Sequence, residues 1–336
     1  MMVATEPARS NVYQPSEEAP VPSSASPINV SHRPRLADLK PLVQPVQPVA
    51  NELRPPTDPR VTPATQLENR EGYRSDFLGE FMVPWPALDA EQAKDAYSTG
   101  NTGNRLDYTH FSITMSRHRR LALVAGVNID GASSVEIDRK RDAWAYDGRL
   151  PSDAQIGEAL YADNLLDRGH LVRRQDPNWG QEAHTANGDT FHFTNCSPQM
   201  AAFNQKTWLE LEDYILDNTR RWKGRATVFT GPLFREDDPT YRDVQIPTAF
   251  WKVVAFLSDD GKPSASAYMI DQQRELGKLQ LAFGALKTYR HSVDQIESLT
   301  GIRFGGLADY DGFSNEERLT GTRIEAAIRG PEDILL

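Results

Sequence analysis

The chain has 336 residues, 39% hydrophobic and 25% charged, which is enough apolar material for a sizeable core, and it lacks the run of ~20 apolar residues that a membrane-spanning helix needs. Thirty-seven Lys and Arg against 47 Asp and Glu leave a net charge of -10. That balance speaks against a tight, nonspecific nucleic-acid binder, whose affinity comes from a basic face, but it does not exclude catalysis on nucleic acid.

Residues 1–70 hold 13 of the 23 prolines, one aromatic residue (Tyr13) and the repeat Val43-Gln44-Pro45-Val46-Gln47-Pro48. Such a segment buries too little apolar surface to offset its ordering entropy, so a Pro-rich, mostly disordered arm is expected ahead of a folded domain over 71–336. The arm carries seven Lys/Arg and seven Asp/Glu, which places the whole charge deficit in the domain. It is expected to serve as a passive tail or linker, with a docking handle for a protein partner or inhibitor as the alternative. Met1–Pro20 contains Glu6, Glu17 and Glu18 and no apolar stretch, unlike a secretory signal. The single cysteine, Cys196, excludes an intrachain disulfide and is expected to be a buried, inert thiol. Together these features predict a cytoplasmic protein, or one exported without a signal peptide, with no membrane association.

From Glu71 onward the composition changes, and all six tryptophans lie there. Tyr73–Pro86 is expected to pack on the domain as a lead-in. His110–Met115 and Leu121–Asn128 are rich in β-formers around the polar run Ser116–Arg120, which predicts a hairpin whose arginines, Arg117, Arg119 and Arg120, are solvated. Thr190–Thr194 alternates like a short strand. Asn204–Asn218 places Trp208, Leu211 and Ile215 at helical spacing, and Trp208 and Trp251 are expected in the core. Arg225–Thr230 predicts a buried strand ended by Gly231-Pro232. Ala249–Leu257 and Ser266–Ile270 are expected to pair around Asp259-Asp260-Gly261, and Ser292–Thr300 predicts a helix stopped by Gly301. The sum is an α+β fold with a central antiparallel sheet flanked by helices.

Three motifs follow one another in the second third of the chain. The first is Asp167-Arg168-Gly169-His170; the second, Thr194-Asn195-Cys196-Ser197-Pro198-Gln199; the third, Asn204 followed by Trp208, Leu211 and Glu212 on the predicted helix. This ordered set resembles the DNA/RNA non-specific endonucleases, the ββα-metal nucleases, with weaker similarity over most of residues 71–310. The resemblance implies an endonuclease that is dependent on Mg²⁺ (Mn²⁺ as a substitute), indifferent to the sugar, acting on DNA and RNA through the backbone, and often dimeric.

Hydrolysing a phosphodiester needs an activated water, charge relief on the phosphoryl oxygens and help for the leaving oxygen. An imidazole titrates near neutrality and can take the water's proton, and the resemblance gives that role to His170. It makes Asn204 the one direct protein ligand of the ion, whose remaining shell is water and phosphate. Glu212 lies about two turns, ~12 Å, further along the helix and is expected to reach the ion through water. Asp167 would orient local backbone or water, Arg168 would contact phosphate or brace the site, and Gly169 would permit a tight turn. A strip of Arg168, Arg173 and Arg174 is the local basic feature. The family's upstream phosphate-facing arginine aligns with Ala145; Arg139, Arg141 and Arg149 are the substitutes in reach, with Arg141 favoured. His184 and His192 have no companion at zinc spacing. A phosphodiesterase acting on a smaller phosphoester, or an inactive binding module that kept the fold, would carry the same core pattern.

Overall fold

The computed structural model describes residues 60–99, 103–138, 143–163, 166–200, 207–221, 223–257, 261–271 and 288–328. In chain order the strands are β1 (Val61–Thr62), β2 (Leu106–Tyr108), β3 (Phe111–Met115), β4 (Ala122–Asp130), β5 (Tyr146–Asp147), β6 (Leu166–His170), β7 (Cys196–Met200) and β8 (Arg225–Leu233). They continue as β9 (Thr240–Tyr241), β10 (Val244–Gln245), β11 (Ala249–Leu257), β12 (Pro263–Asp271), β13 (Thr288–His291) and β14 (Ala326–Ile328). The helices are α1 (Ala90–Asp95), α2 (Glu158–Tyr161), α3 (Ala183–Asp189), α4 (Thr207–Arg221), α5 (Val293–Thr300) and α6 (Gly312–Thr320). Among the described residues no helix is long and apolar enough to cross a membrane.

An antiparallel sheet runs β14-β13-β12-β11-β8-β4-β3-β2 and forms the middle layer. Its central strands are covered on both faces, which is why β4 and β11 read as nearly continuous apolar runs. Alternation along β11 sends Phe250 and Val254 to one core, shared with Leu211, Ile215 and Leu216 of α4. Trp251, Val253 and Ala255 enter the opposite core with Tyr73, Phe77, Val83 and the α5 residues Val293 and Ile296. The lead-in segment and the helix over 293–300 are therefore where they were expected. Ser292 caps α5 by accepting from the Gln295 N–H, and Gly301 ends it at a φ of 74°, a left-handed conformation that glycine adopts without strain.

Three expectations change. The strand from Arg225 does not stop at Gly231-Pro232 but runs on to Leu233, because the Trp251 ring and the Leu123 carbonyl close over Gly231; a Cβ there would lie 2.5 Å from that oxygen. Thr190–Thr194 is not a strand. Local bonds from Thr190 Oγ1 to Asn187 O and between His192 Nδ1 and Asp189 O curl it after α3 into a 3-10 turn over Phe193–Asn195. The packed part also begins before residue 71, by Arg60. β1 adds to β5 in parallel, Leu67 is buried in the α4-side core, and Arg70 pairs with Asp189 at 2.7 Å. Proline content hid this stretch, since docking two residues on an existing edge needs few apolar side chains.

Candidate active site

The Asp-Arg-Gly-His sequence is strand β6. It pairs antiparallel with β7, placing His170 opposite Cys196, Gly169 opposite Ser197 and Asp167 opposite Gln199. A third core, with Ile156, Leu160, Tyr161, Leu166, Phe193 and Cys196, supports this ribbon from below. Alternation puts Leu166, Arg168 and His170 on one face and Asp167 and Gly169 on the other. Gly169 is not at a turn: it sits mid-strand, and a Cβ would meet the Gln199 side chain at 2.1 Å. The glycine of the first motif and the glutamine of the second are thus two halves of one close contact.

His170 ends the strand half-buried. Its ring lies 4.7 Å from that of Trp144 and 5.2 Å, edge to face, from that of Phe191. The chain leaving it is pinned by Asn195. That side chain accepts from the Val172 N–H at 2.9 Å and donates to the carbonyls of Val172 and Thr190, each at 3.0 Å, while the Asn195 carbonyl accepts from the Leu171 N–H. Asn195 is fully buried, so the clamp works in a low-dielectric setting where its loss leaves groups unpaired.

Two other candidate groups, Arg168 and Glu212, are drawn into ion pairs. Arg168 donates through Nε to Glu158 at 3.1 Å, forms a second contact with the same carboxylate, and lies over the Tyr161 ring. Arg168 thus ties β6 to α2. Asp167 is half-buried, and burial raises its carboxyl above the usual range, with Arg168 opposing. Glu212, on α4, is 10% exposed and pairs at 3.0 Å with Lys252 from β11. Asn204, Arg139 and Arg141 lie outside the described residues.

A profile of the DNA/RNA non-specific endonucleases matches residues 89–310. The chain belongs to that family. It is 44% identical over 226 residues to uncharacterized protein y4fB of Sinorhizobium fredii, covering 63% of this chain and 34% of that one. Nuclease C1 of Cunninghamella echinulata is 26% identical, with 61% and 84% covered, and human mitochondrial endonuclease G 30% identical, with 40% and 48% covered. The chain thus spans about a third of the first relative's length. Among solved structures, the EndoG/EndoGI complex contains a chain of similar fold, at a TM-score of 0.50 and 19% identity, covering 67% of this chain and 94% of that one.

Within this endonuclease chain the arginine question narrows. Arg149 is bound to Asp147 through Nε and a terminal nitrogen, donates to the Asp107 carbonyl at 2.7 Å and stacks on Tyr108, so it is a structural hub and not a phosphate-facing group. Ala145 is buried and bridges to His192. The basic strip is also spent locally: Arg168 on Glu158, Arg173 on Asp213, Arg174 on the Ile137 carbonyl. Of the hairpin arginines Arg117 is exposed, whereas Arg119 pairs with Asp238 and Arg120 donates to the Asp243 carbonyl, so these two are tied down where solvation was expected. Sequence reasoning passed over Trp144, Asn195 and Lys252. Asn195 stood inside a quoted motif without a role, and Lys252 was visible as a cation inside the apolar run Ala249–Leu257.

Two donors that would suit a softer metal, Cys196 and His192, are already committed. Cys196 is buried against the Tyr161 hydroxyl, and burial pushes its thiol up to about 12, as expected of an inert cysteine. His192 places Nδ1 on the Asp189 carbonyl and Nε2 on Thr62 Oγ1. Beneath α4, burial raises the Asp176 carboxyl to about 7, with Arg173 opposing and Glu212 adding to the rise. The unfolded chain ionises at its ordinary 3.8, so the stability that protonated Asp176 contributes is complete below that pH and is lost as pH rises through about 7. Asp176→Asn, neutral throughout, is therefore expected to be more stable than the parent at about pH 8 and to differ little from it at about pH 4. Urea midpoints at the two pH values check this; a variant less stable at the higher pH would contradict it.

Proposed function

We propose that this chain is a Mg²⁺-dependent endonuclease that hydrolyses phosphodiester bonds of both DNA and RNA, with His170 as general base. The observation that carries the reading is the placement of His170, a half-buried residue at the end of a strand paired with the Ser197-Pro198-Gln199 strand, ahead of the helix that bears Glu212. In this reading His170 accepts a proton from water as the water oxygen attacks phosphorus, and the bond to the leaving 3′-oxygen breaks. Asp167 and Glu212, the latter paired with Lys252, offer carboxylate oxygens, and oxygen donors suit a hard cation that keeps most of its water. Asn204 would hold the ion directly and Glu212 through water. When bound, the ion supplies charge stabilisation at the phosphoryl oxygens. Arg168 would brace the strand through Glu158, Asp167 would orient its surroundings, and Arg141 would supply the phosphate contact.

Recognition through phosphate and metal alone reads no base, which is why one site serves both nucleic acids. Such an activity calls for restraint, and the EndoG/EndoGI complex is one in which EndoG is inhibited. A protein partner docking through residues 1–59 is the corresponding proposal here. The test is cleavage of supercoiled plasmid and of RNA by the full chain. Both substrates should be cut with Mg²⁺, protected by EDTA, and cut again when Mg²⁺ is restored in excess. Cutting that persists after chelation would overturn the metal dependence. Turnover of a small phosphodiester with neither nucleic acid touched would overturn the substrate class.

A further inference from the structure

Lys252 is out of place by every packing criterion. It occupies the middle of β11, a central strand of the sheet, and is 1% exposed. Its strand neighbours on the same face, Phe250 and Val254, belong to the core that Leu211 and Ile215 of α4 also enter. An ammonium in such a position costs several kcal/mol unless it is paired, and replacing a buried ion pair by apolar residues of similar volume is often neutral or stabilising. Packing alone therefore gives no reason for a lysine here.

Its partners do. Nζ lies 3.0 Å from Glu212 Oε1 and 3.1 Å from Thr230 Oγ1, and Thr230 is its direct cross-strand neighbour on β8. The hydroxyl fixes the ammonium from the sheet, and the ammonium fixes the carboxylate on the helix. Glu212 is thereby tied to the central strands of the sheet, whereas an acid on a helix surface would sample several rotamers. We propose that Lys252 is a positioning residue for the nuclease reaction: it holds the Glu212 carboxylate in the single placement from which it orients the water of the proposed metal ion. This rests on the functional reading above. Groups at this remove from an ion, acting through its immediate ligands, change metal affinity or activity by about 10–100-fold when lost.

The test uses the full chain carrying Lys252→Met, Glu212→Gln, both together, or Thr230→Val, with three readouts: thermal unfolding, Mn²⁺ binding by calorimetry without nucleic acid, and kcat and KM on plasmid. Lys252→Met is expected to fold, to bind Mn²⁺ about tenfold more weakly and to lose kcat by about 10–100-fold, while KM for the plasmid stays within about twofold. The double variant should be little worse than either single one, because the two residues act as a unit. Thr230→Val, which keeps the ion pair and removes only the anchor, should show the same split at a few-fold. If Lys252→Met does not fold, Thr230→Val decides, and unchanged Mn²⁺ affinity and kcat there would overturn the proposal. A folded Lys252→Met with parental affinity and kcat, or a double variant showing the two losses multiplied, would overturn it equally. A parent that neither binds Mn²⁺ nor cuts would instead remove the functional reading itself.

Discussion

His170→Ala is expected to lower single-turnover cleavage of plasmid DNA by about 10²–10⁴-fold, the usual contribution of a positioned general base. The fold should survive. The imidazole is half-buried at a strand end, and its ring neighbours Trp144 and Phe191 are themselves part-exposed, so truncation opens a site that water can enter. The β6–β7 ladder uses backbone groups alone, and the clamp that follows belongs to Asn195. Circular dichroism and the unfolding midpoint should therefore match the parent while the rate collapses. A variant that cuts at the parental rate would take the base role away from His170.

Asn195→Ala should be the most destabilising single change near the site, by about 3–5 kcal/mol, since each of the three buried backbone groups that it strands costs about 1–3 kcal/mol when unpaired. Those groups are the Val172 N–H and the carbonyls of Val172 and Thr190. Asn195→Asp keeps an acceptor for the N–H but faces two carbonyl oxygens with a carboxylate, so it should not rescue. The loss of activity should exceed what the loss of stability explains at temperatures where the variant is folded, because the strand end carrying His170 is released. Urea denaturation measures the first effect and cleavage well below the unfolding midpoint the second. A drop under about 1 kcal/mol would mean that water replaces the amide at little cost.

The strands and helices of the core were largely readable because their signals are local. Alternation and β-branched content marked β3 and β4, helical spacing marked α4, and a serine cap with a terminal glycine bounded α5. The errors have local causes too. Thr190–Thr194 alternates in polarity, but side-chain bonds to its own backbone curl it. Gly231-Pro232 looks like a stop, but a tryptophan from the next strand covers the glycine and keeps the pair in the sheet.

Family membership and the order of the three motifs were legible along the chain, as was the imidazole proposed as general base, since each motif is written in residues a few positions apart. The tertiary structure alone decided which charge meets which. Arg168 turns to Glu158, Arg173 to Asp213 and Glu212 to Lys252, and the close contact of Gly169 with Gln199 replaces the expected turn. The physical reason is that a buried charge is tolerable only beside its counter-charge. That partner arrives through strand register and helix packing, which no local pattern along the chain encodes.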